Sequence, residues 1–339
     1  MGSMGNPGRS EVMRAVVQNG YGSAAVLRTA EVGRPAVADG EVLVEVAAAG
    51  LDRGVWHLMT GKPYAARLAL GRPRNRVAGM DVAGTVAAVG AKVTRFAVGD
   101  EVFGVGRGSF AEYAVAGEDK LVHKPAGLGF AQAAVVAVSG VTALRAVRIA
   151  GRVRPGQHVL VLGASGGVGS YAVQLAKASG ARVTGVCSTA KADLVRSLGA
   201  DDVIDYTTTD FADSGQRYDL IVDIGGRSRF ARLRRALTPR GTLVVVGGEG
   251  GGQVLGMGRT LHALALSPFV RQRLTAIVAV PGRADLETLR GLIVSGELAP
   301  AVGATYPLDR APEAVRVLEA GQARGKIAIA IGARIPNGR

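Results

Sequence analysis

Apolar positions along this chain follow two different rhythms. From residue 13 to about residue 139 they come in short runs, at 13–18, 42–49, 83–89 and 112–115, separated by punctuation such as Val98-Gly99-Asp100 and Gly104. Runs of that length predict short strands, and strands at that spacing predict a compact, barrel-like β domain without regular helices. A helical period takes over at 131–149, and beyond it apolar runs at 159–162, 181–187, 202–205, 219–223 and 241–246 alternate with helical stretches. That alternation predicts a parallel, doubly wound α/β unit. A further strand at 274–280 stops at Pro281, and then come helix 285–295, strand 301–306, helix 312–320 opened by Pro312, and strand 326–331. These last elements follow a complete nucleotide-type sheet, so they are expected to return to the first domain. The expected organisation is a first domain over 1–138, of which 1–12 read as a leader or tag, a nucleotide domain over 139–280, and a returning tail over 281–339. A substrate cleft between two such lobes follows.

The most informative stretch is 158–176, HVLVLGASGGVGSYAVQLA, where strand gives way to tight turn and then to helix. Gly163 allows the turn, Gly166 and Gly167 let a pyrophosphate approach the backbone, and Gly169 lets helix and strand pack closely. The unpaired N–H groups of the helix start favour phosphate. Gly163, Ser165, Gly166, Gly167 and Val168 are therefore expected at a dinucleotide; a glycine-rich turn that binds nothing is the alternative. An NAD site normally carries an acid at the end of the second strand, about 20 residues beyond the glycines. Here Ser188 stands there, with Lys191 just after it. A hydroxyl and an ammonium suit a 2′-phosphate, so the expected cofactor is NADPH. Lys191 as a plain exposed helix-start residue is the competing reading. Gly247 and Gly248, just past the strand at 241–246, are expected where backbone nears the nicotinamide, or else form an ordinary turn.

Composition narrows the picture. With 339 residues, 48% of them hydrophobic, the chain exceeds a single core and suits two domains. Its one cysteine, Cys187, rules out a disulfide framework and fits a reducing cytoplasm. No apolar run reaches the ~18 residues of a membrane span, so the expectation is a soluble protein. The net charge of +14 rests on 34 arginines and 7 lysines and raises a nucleic-acid partner. The dense segment Arg227, Arg229, Arg232, Arg234, Arg235 and Arg240 reads better as the solvated face of a helix, and aromatic residues able to stack bases are only 4%. The strand at 274–280 offers an edge for pairing with a second copy, which makes a homodimer the expected assembly.

With these pieces placed, the chain resembles the medium-chain dehydrogenase/reductase superfamily, in its zinc-free quinone oxidoreductase branch. The motifs are GMDVAGTVAAVG (79–90), RFAVGDEVFG (95–104), GSFAEYAV (108–115), VSGVTALRAV (138–147), GASGGVG, SLGADDVIDY (197–206) and ARGKIAI (323–329). Mitochondrial quinone reductases similar to reticulon-interacting protein share the VCS after the second strand. The resemblance implies a GroES-like catalytic domain, an inserted Rossmann domain, usual dimers, and reduction of quinones or α,β-unsaturated carbonyls by NADPH. It puts Ser188, Lys191 and Tyr206 at the 2′-phosphate, Thr142 near the nicotinamide ribose at the opening of a helix, and Arg324 and Lys326 within reach of the cofactor from the tail. Helix capping by Thr142 and surface placement of Arg324 and Lys326 are the plainer alternatives.

Zinc is the fork within that superfamily. A catalytic zinc needs three protein ligands and an open position. Where zinc-dependent relatives carry cysteine, Gly-His-Glu and cysteine, this chain has Asp52, Gly79-Met80-Asp81 and Val138. No metal is expected. Without one, a conjugated carbonyl is an easier substrate than an alcohol, because hydride at its β-carbon leaves an enolate that fixed donors can hold. Candidate catalytic groups come from GLDRGVWHLMTGKPY (50–64): His57 and Tyr64, near tyrosines of simpler relatives, and Asp52, at a common asparagine. His57 has a structural alternative as cleft lining or helix cap, and Tyr64 as a hydrophobic wall. Phe269, in the apolar segment 261–273, is the candidate substrate-lining residue, against core or dimer contact. The rival functions are a zinc-type alcohol dehydrogenase-like enzyme, an RNA-binding protein, and an inert cofactor-binding scaffold.

Overall fold

Residues 12–64, 67, 68, 71, 73, 76–246 and 258–331 are described by a computed structural model. The early apolar runs fold as β1 (Val12–Gln18), β2 (Leu27–Gly33), β3 (Glu41–Leu51), β4 (Arg76–Val77), β5 (Asp81–Val89), β6 (Glu101–Val105), β7 (Tyr113–Gly117) and β8 (Leu121–His123). β3 is the hub of this lobe. One of its edges pairs antiparallel with β5; the other is shared, Glu41–Glu45 facing β7 and residues 48–51 facing the last strand, β16 (Lys326–Ala330). With β15 (Val302–Pro307) outside β16, the sheet runs β15-β16-β3-β5-β6-β8, and β2-β1-β4 form a separate three-stranded sheet. Val42, Val44, Val46, Ala49 and Leu51 pack with Ile327 and Ile329 in one core, so the chain's two ends share an interior.

The expectation of a first lobe without regular helices is corrected by α1 (Arg53–Thr60). Asp52 caps its N-terminus and Gly61, left-handed at φ 61°, ends it. The helix escapes a periodicity search because only Val55, Met59 and Thr60 are buried, one face of two turns.

The helical stretch after β8 is broken into α2 (Phe130–Ala133), α3 (Ala137–Leu144) and a π-helical segment, Arg145–Ala150. Then follow β9 (His158–Leu162), α4 (Gly167–Ala178), β10 (Arg182–Cys187), α5 (Ala192–Ser197), β11 (Asp202–Asp205), β12 (Tyr218–Asp223), α6 (Phe230–Ala236), β13 (Leu237–Val245), α7 (Gly258–Leu266) and β14 (Arg273–Ala276). The six strands are all parallel, in the order β11-β10-β9-β12-β13-β14. Buried on both faces, β9 is apolar at every position after His158. Chain direction across the sheet reverses between β9 and β12, and the crevice beyond their C-terminal ends is where this fold takes ligands.

β14 is shorter than the strand expected at 274–280. The ladder's last bond is from Ile277 N–H to the Val245 carbonyl, after which Val278 and Val280 stand exposed before Pro281. α8 (Arg283–Val294) places Leu286, Leu289 and Leu292 in the nucleotide unit's core, and α9 (Ala311–Glu319) buries Ala311, Ala314 and Val315 in the first lobe. Both lobes are of the expected type, a GroES-like β unit and a Rossmann α/β unit. Among the described residues no helix is long and apolar enough to cross a membrane.

Candidate active site

The crevice is built around the bend between β9 and α4. Gly163 turns the chain at φ 82°, which L-residues with a side chain rarely adopt. A Cβ on Gly169 would lie 2.0 Å from the Gly163 carbonyl oxygen, so the glycine is what lets α4 seat directly on β9. The first turn of α4 carries no acidic side chain, and no side chain caps it at Gly166. Gly166, Gly167 and Val168 keep access to solvent while Ser165 is buried. Open backbone N–H groups at a helix start form an anion site. The returning tail closes on the same bend, with Gly325 N–H donating to the Ser165 carbonyl at 2.8 Å.

At the end of β10, Ser188 heads a short turn and makes no capping bond with its side chain. Lys191 Nζ donates to the carbonyls of Gly321 (2.7 Å) and Ala323 (2.8 Å), and Arg324 Nη1 returns a bond to the Ala190 carbonyl at 2.7 Å. Two cations from opposite lobes are thereby held side by side. Burial, and then the neighbouring guanidinium, pull the Lys191 pKa below its ordinary value. Tyr206 follows the end of β11, its N–H bonded to the Cys187 carbonyl at 3.0 Å, one residue before Ser188, and its ring exposed. One acid missed from the sequence lies nearby. Asp205 comes from β11 rather than β10, and its oxygens accept from Thr189 Oγ1, Thr207 Oγ1 and Thr207 N–H, which lowers its pKa.

On the first lobe's side, Asp52 Oδ1 accepts from the N–H groups of Gly54 (2.6 Å) and Val55 (3.3 Å) and so caps α1, a role the sequence pattern had not given it. Asp81 is fully buried; its Oδ1 accepts from Val138 N–H at 3.0 Å and its Oδ2 faces Lys326 Nζ at 3.9 Å. Burial and the nearby Asp52 push the Asp81 pKa well above the carboxylate range, against Lys326 and the Val138 N–H, which pull it down. His57 and Tyr64 belong to a neighbouring cluster. His57 Nδ1 lies 2.9 Å from the Lys62 carbonyl, and Tyr64, 39% exposed, has the Arg67 guanidinium 4.6 Å from its ring centre. Arg67 also covers Tyr21 and donates to the carbonyls of Gly61 and Thr60, so it fixes this wall; nothing in the sequence pattern had marked it.

Other candidates land elsewhere. Thr142 does not open a helix: it sits in the second half of α3, where its hydroxyl donates to the Val138 carbonyl at 2.7 Å. Phe269, 85% exposed, lies in the short turn after α7, on the way to edge strand β14. Gly247 and Gly248 fall outside the described residues. At the end of β12, the buried Asp223 pairs with Arg259 of α7 and accepts from Gly226 N–H at 3.0 Å, a link between residues 36 apart that local reading misses.

These residues do not suit zinc. Val138 brings no donor atom and Met80 has its methyl against Gly54, which leaves the carboxylates of Asp52 and Asp81 as the two candidate ligands at these positions, short of the three a catalytic zinc needs. Among the described residues no three His, Cys, Asp or Glu side chains converge. A dinucleotide does suit the bend, through open helix N–H groups, close glycine packing and a paired cation site beyond.

Comparison with known proteins agrees with this geometry. Residues 38–126 match the family described as the alcohol dehydrogenase GroES-like domain, and residues 198–329 the one described as zinc-binding dehydrogenase. A chloroplastic quinone oxidoreductase of Triphysaria versicolor is 33% identical over 335 residues, 94% of this chain and 98% of its own. A 2-methylene-furan-3-one reductase of Solanum lycopersicum is 33% identical across 94% of this chain and 79% of its own. Among solved structures, a mycobacterial protein in complex with NADPH superposes with a TM-score of 0.80 at 28% identity, covering 94% of this chain and 99% of that one.

Proposed function

The chain belongs to the quinone oxidoreductase branch of the medium-chain dehydrogenases and reductases, and from that premise we propose that it reduces quinones or α,β-unsaturated carbonyls with NADPH and without zinc. It is a nicotinamide-dependent oxidoreductase. The choice of NADPH rests on one observation, the Lys191 and Arg324 cations packed together at the end of β10. A phosphate dianion placed between them replaces mutual repulsion with charge-assisted bonds. Ser188 and Tyr206 supply hydroxyls beside it.

When bound, the nicotinamide supplies the hydride. The protein's own part begins with the α4 N–H groups, which hold the pyrophosphate, and with Gly325 and Lys326, which brace the bend from the other lobe. Hydride arriving at the substrate's β-carbon leaves an enolate, and fixed donors in the cleft stabilise it. His57 and Tyr64 are the side chains proposed to return the proton, with water as the alternative source.

A panel of quinones, enones and simple alcohols, assayed with NADPH and NADH before and after chelation, tests this reading. Turnover is expected on quinones or enones, with NADPH preferred and chelation without effect. Activity that vanishes on chelation and returns with zinc would overturn it. The arginine-rich segment gives no support to a nucleic-acid role, since Arg232 and Arg235 are paired with Asp210 and Asp213.

We also propose a homodimer, with a second copy on the free edge of β14, where Leu261, Leu264, Phe269, Val278 and Val280 are exposed together near one sheet edge. Replacing Leu264 and Phe269 by aspartate should halve the mass in sedimentation. A wild-type chain that sediments as a monomer would contradict this. The single buried Cys187 suits a reducing compartment, and the cytoplasm is the proposed location.

A further inference from the structure

Four arginines gather around one hollow on the nucleotide unit. It measures about 760 Å³ and is lined by Arg227, Ser228 and Arg229, just beyond β12, and by Ala231, Arg232 and Arg235 of α6. Arg232 faces the carboxylates of Asp210 and Asp213, and Arg235 faces that of Asp213 at 3.0 Å. Arg227 and Arg229 are exposed, and among the described residues no acid pairs with either guanidinium. Four cations therefore stand against two carboxylates, an excess of two positive charges.

The loop that carries Arg227 and Arg229 is held from beneath. Asp223, buried at the end of β12, accepts from Gly226 N–H at 3.0 Å and pairs with Arg259 of α7, whose Nη1 donates to the Ser228 carbonyl at 2.8 Å. One buried ion pair thus fixes the backbone on both sides of Arg227. Like charges held together by the fold repel each other, and an anion placed between them relieves that repulsion at little cost in ordering.

The hollow also lies apart from the phosphate bend. Alternate residues of a strand point to opposite faces of its sheet. Val159 and Val161 of β9 pack with Ala172 and Val173 of α4, whereas Leu160 and Leu162 pack with Leu233 and Ala236 of α6. The helix whose start is the proposed pyrophosphate site and the helix that lines the hollow are therefore on opposite faces. We propose that the hollow is a second anion site, separate from the cofactor, for a small phosphate monoester of sugar-phosphate size. Such a group carries close to two negative charges at neutral pH, which matches the excess, and guanidinium forks suit its oxygens. The volume falls within the range of small-molecule sites.

Calorimetric titration of ribose 5-phosphate and of ribose into wild type, Arg227→Gln, Arg229→Gln and Lys191→Ala tests this, with thermal melts and NADPH titrations on the same proteins. Wild type should bind ribose 5-phosphate and not ribose, more weakly as salt rises. Each arginine variant should bind it about tenfold more weakly, the loss of one charge-assisted contact. Their melting temperatures and NADPH affinities should be unchanged, because neither side chain is paired within the fold. Lys191→Ala should bind ribose 5-phosphate as wild type does. No binding by wild type, arginine variants with wild-type affinity, or ribose bound as tightly as its phosphate would overturn the inference. A loss in Lys191→Ala as large as in the arginine variants would put the ligand in the 2′-phosphate site, and weakened NADPH in the arginine variants would assign them to the cofactor; either result also overturns it. A short RNA that displaces ribose 5-phosphate at about a hundredfold lower concentration would make this face a nucleic-acid surface instead.

Discussion

Replacing Lys191 and Ser188 together by alanine should weaken NADPH about a hundredfold, the loss of one ionic and one neutral contact to a phosphate. NADH should lose much less. The structure explains why some loss is common to both. Lys191 also fastens the tail through the carbonyls of Gly321 and Ala323, so its removal loosens the seam between the lobes whichever cofactor is bound. The differential part reports the 2′-phosphate alone, and it is large because Arg324 then faces that phosphate without its neighbour. Fluorescence titration of both cofactors measures it. Equal losses for NADPH and NADH would mean that the phosphate does not sit at the end of β10.

The second large effect is expected at Gly169. Its Cβ in a Gly169→Ala variant would meet the Gly163 carbonyl oxygen at 2.0 Å and the Ala164 Cα at 2.8 Å. Both are backbone atoms, so no side chain can turn aside, and α4 must move off β9. We expect a destabilisation of about 3 kcal/mol, at the upper end of overpacking costs. NADPH binding should be lost with it, because the N–H groups move with the helix. Gly291 is the control: it lies in α8, a Cβ there meets nothing within 4 Å, and alanine should stabilise by about 0.5–1 kcal/mol with cofactor affinity intact. Thermal melts and NADPH titration on both variants decide the matter. A Gly169→Ala protein that binds NADPH normally would show that close packing of α4 on β9 is not what shapes the bend.

What could be read from the sequence was whatever is local. The strand, turn and helix of 158–176 announce themselves because each glycine's task is set by residues within a turn of it, and Gly163 and Gly169 do as expected. The expectation at Ser188 and Lys191 came from equally local signals, a residue directly after the end of β10 and a cation three positions on, whereas Tyr206 was placed beside them only by the family resemblance. Contacts between distant segments were not. Lys326 and Ser139 are 187 residues apart, Lys191 and Ala323 are 132 apart, and no spacing rule connects them. Asp81 entered the reading only as a residue standing beside a missing zinc ligand, and its carboxylate proved to be half of a buried pair across the seam. Asp52 shows a different limit of local reading. An acid in a candidate catalytic stretch invited a chemical role, whereas its Oδ1 is taken by the first N–H groups of a helix that the apolar pattern did not reveal. Thr142 was misplaced by half a helix because the period at 131–149 conceals two breaks.

The most direct test of the whole account is a single turnover with NADPH deuterated at the transferable position of its nicotinamide ring, run on chelator-treated enzyme with an enone and analysed by mass spectrometry. The account predicts one deuteron on the β-carbon of the reduced product. A product without label, or labelled only after zinc is restored, would contradict it.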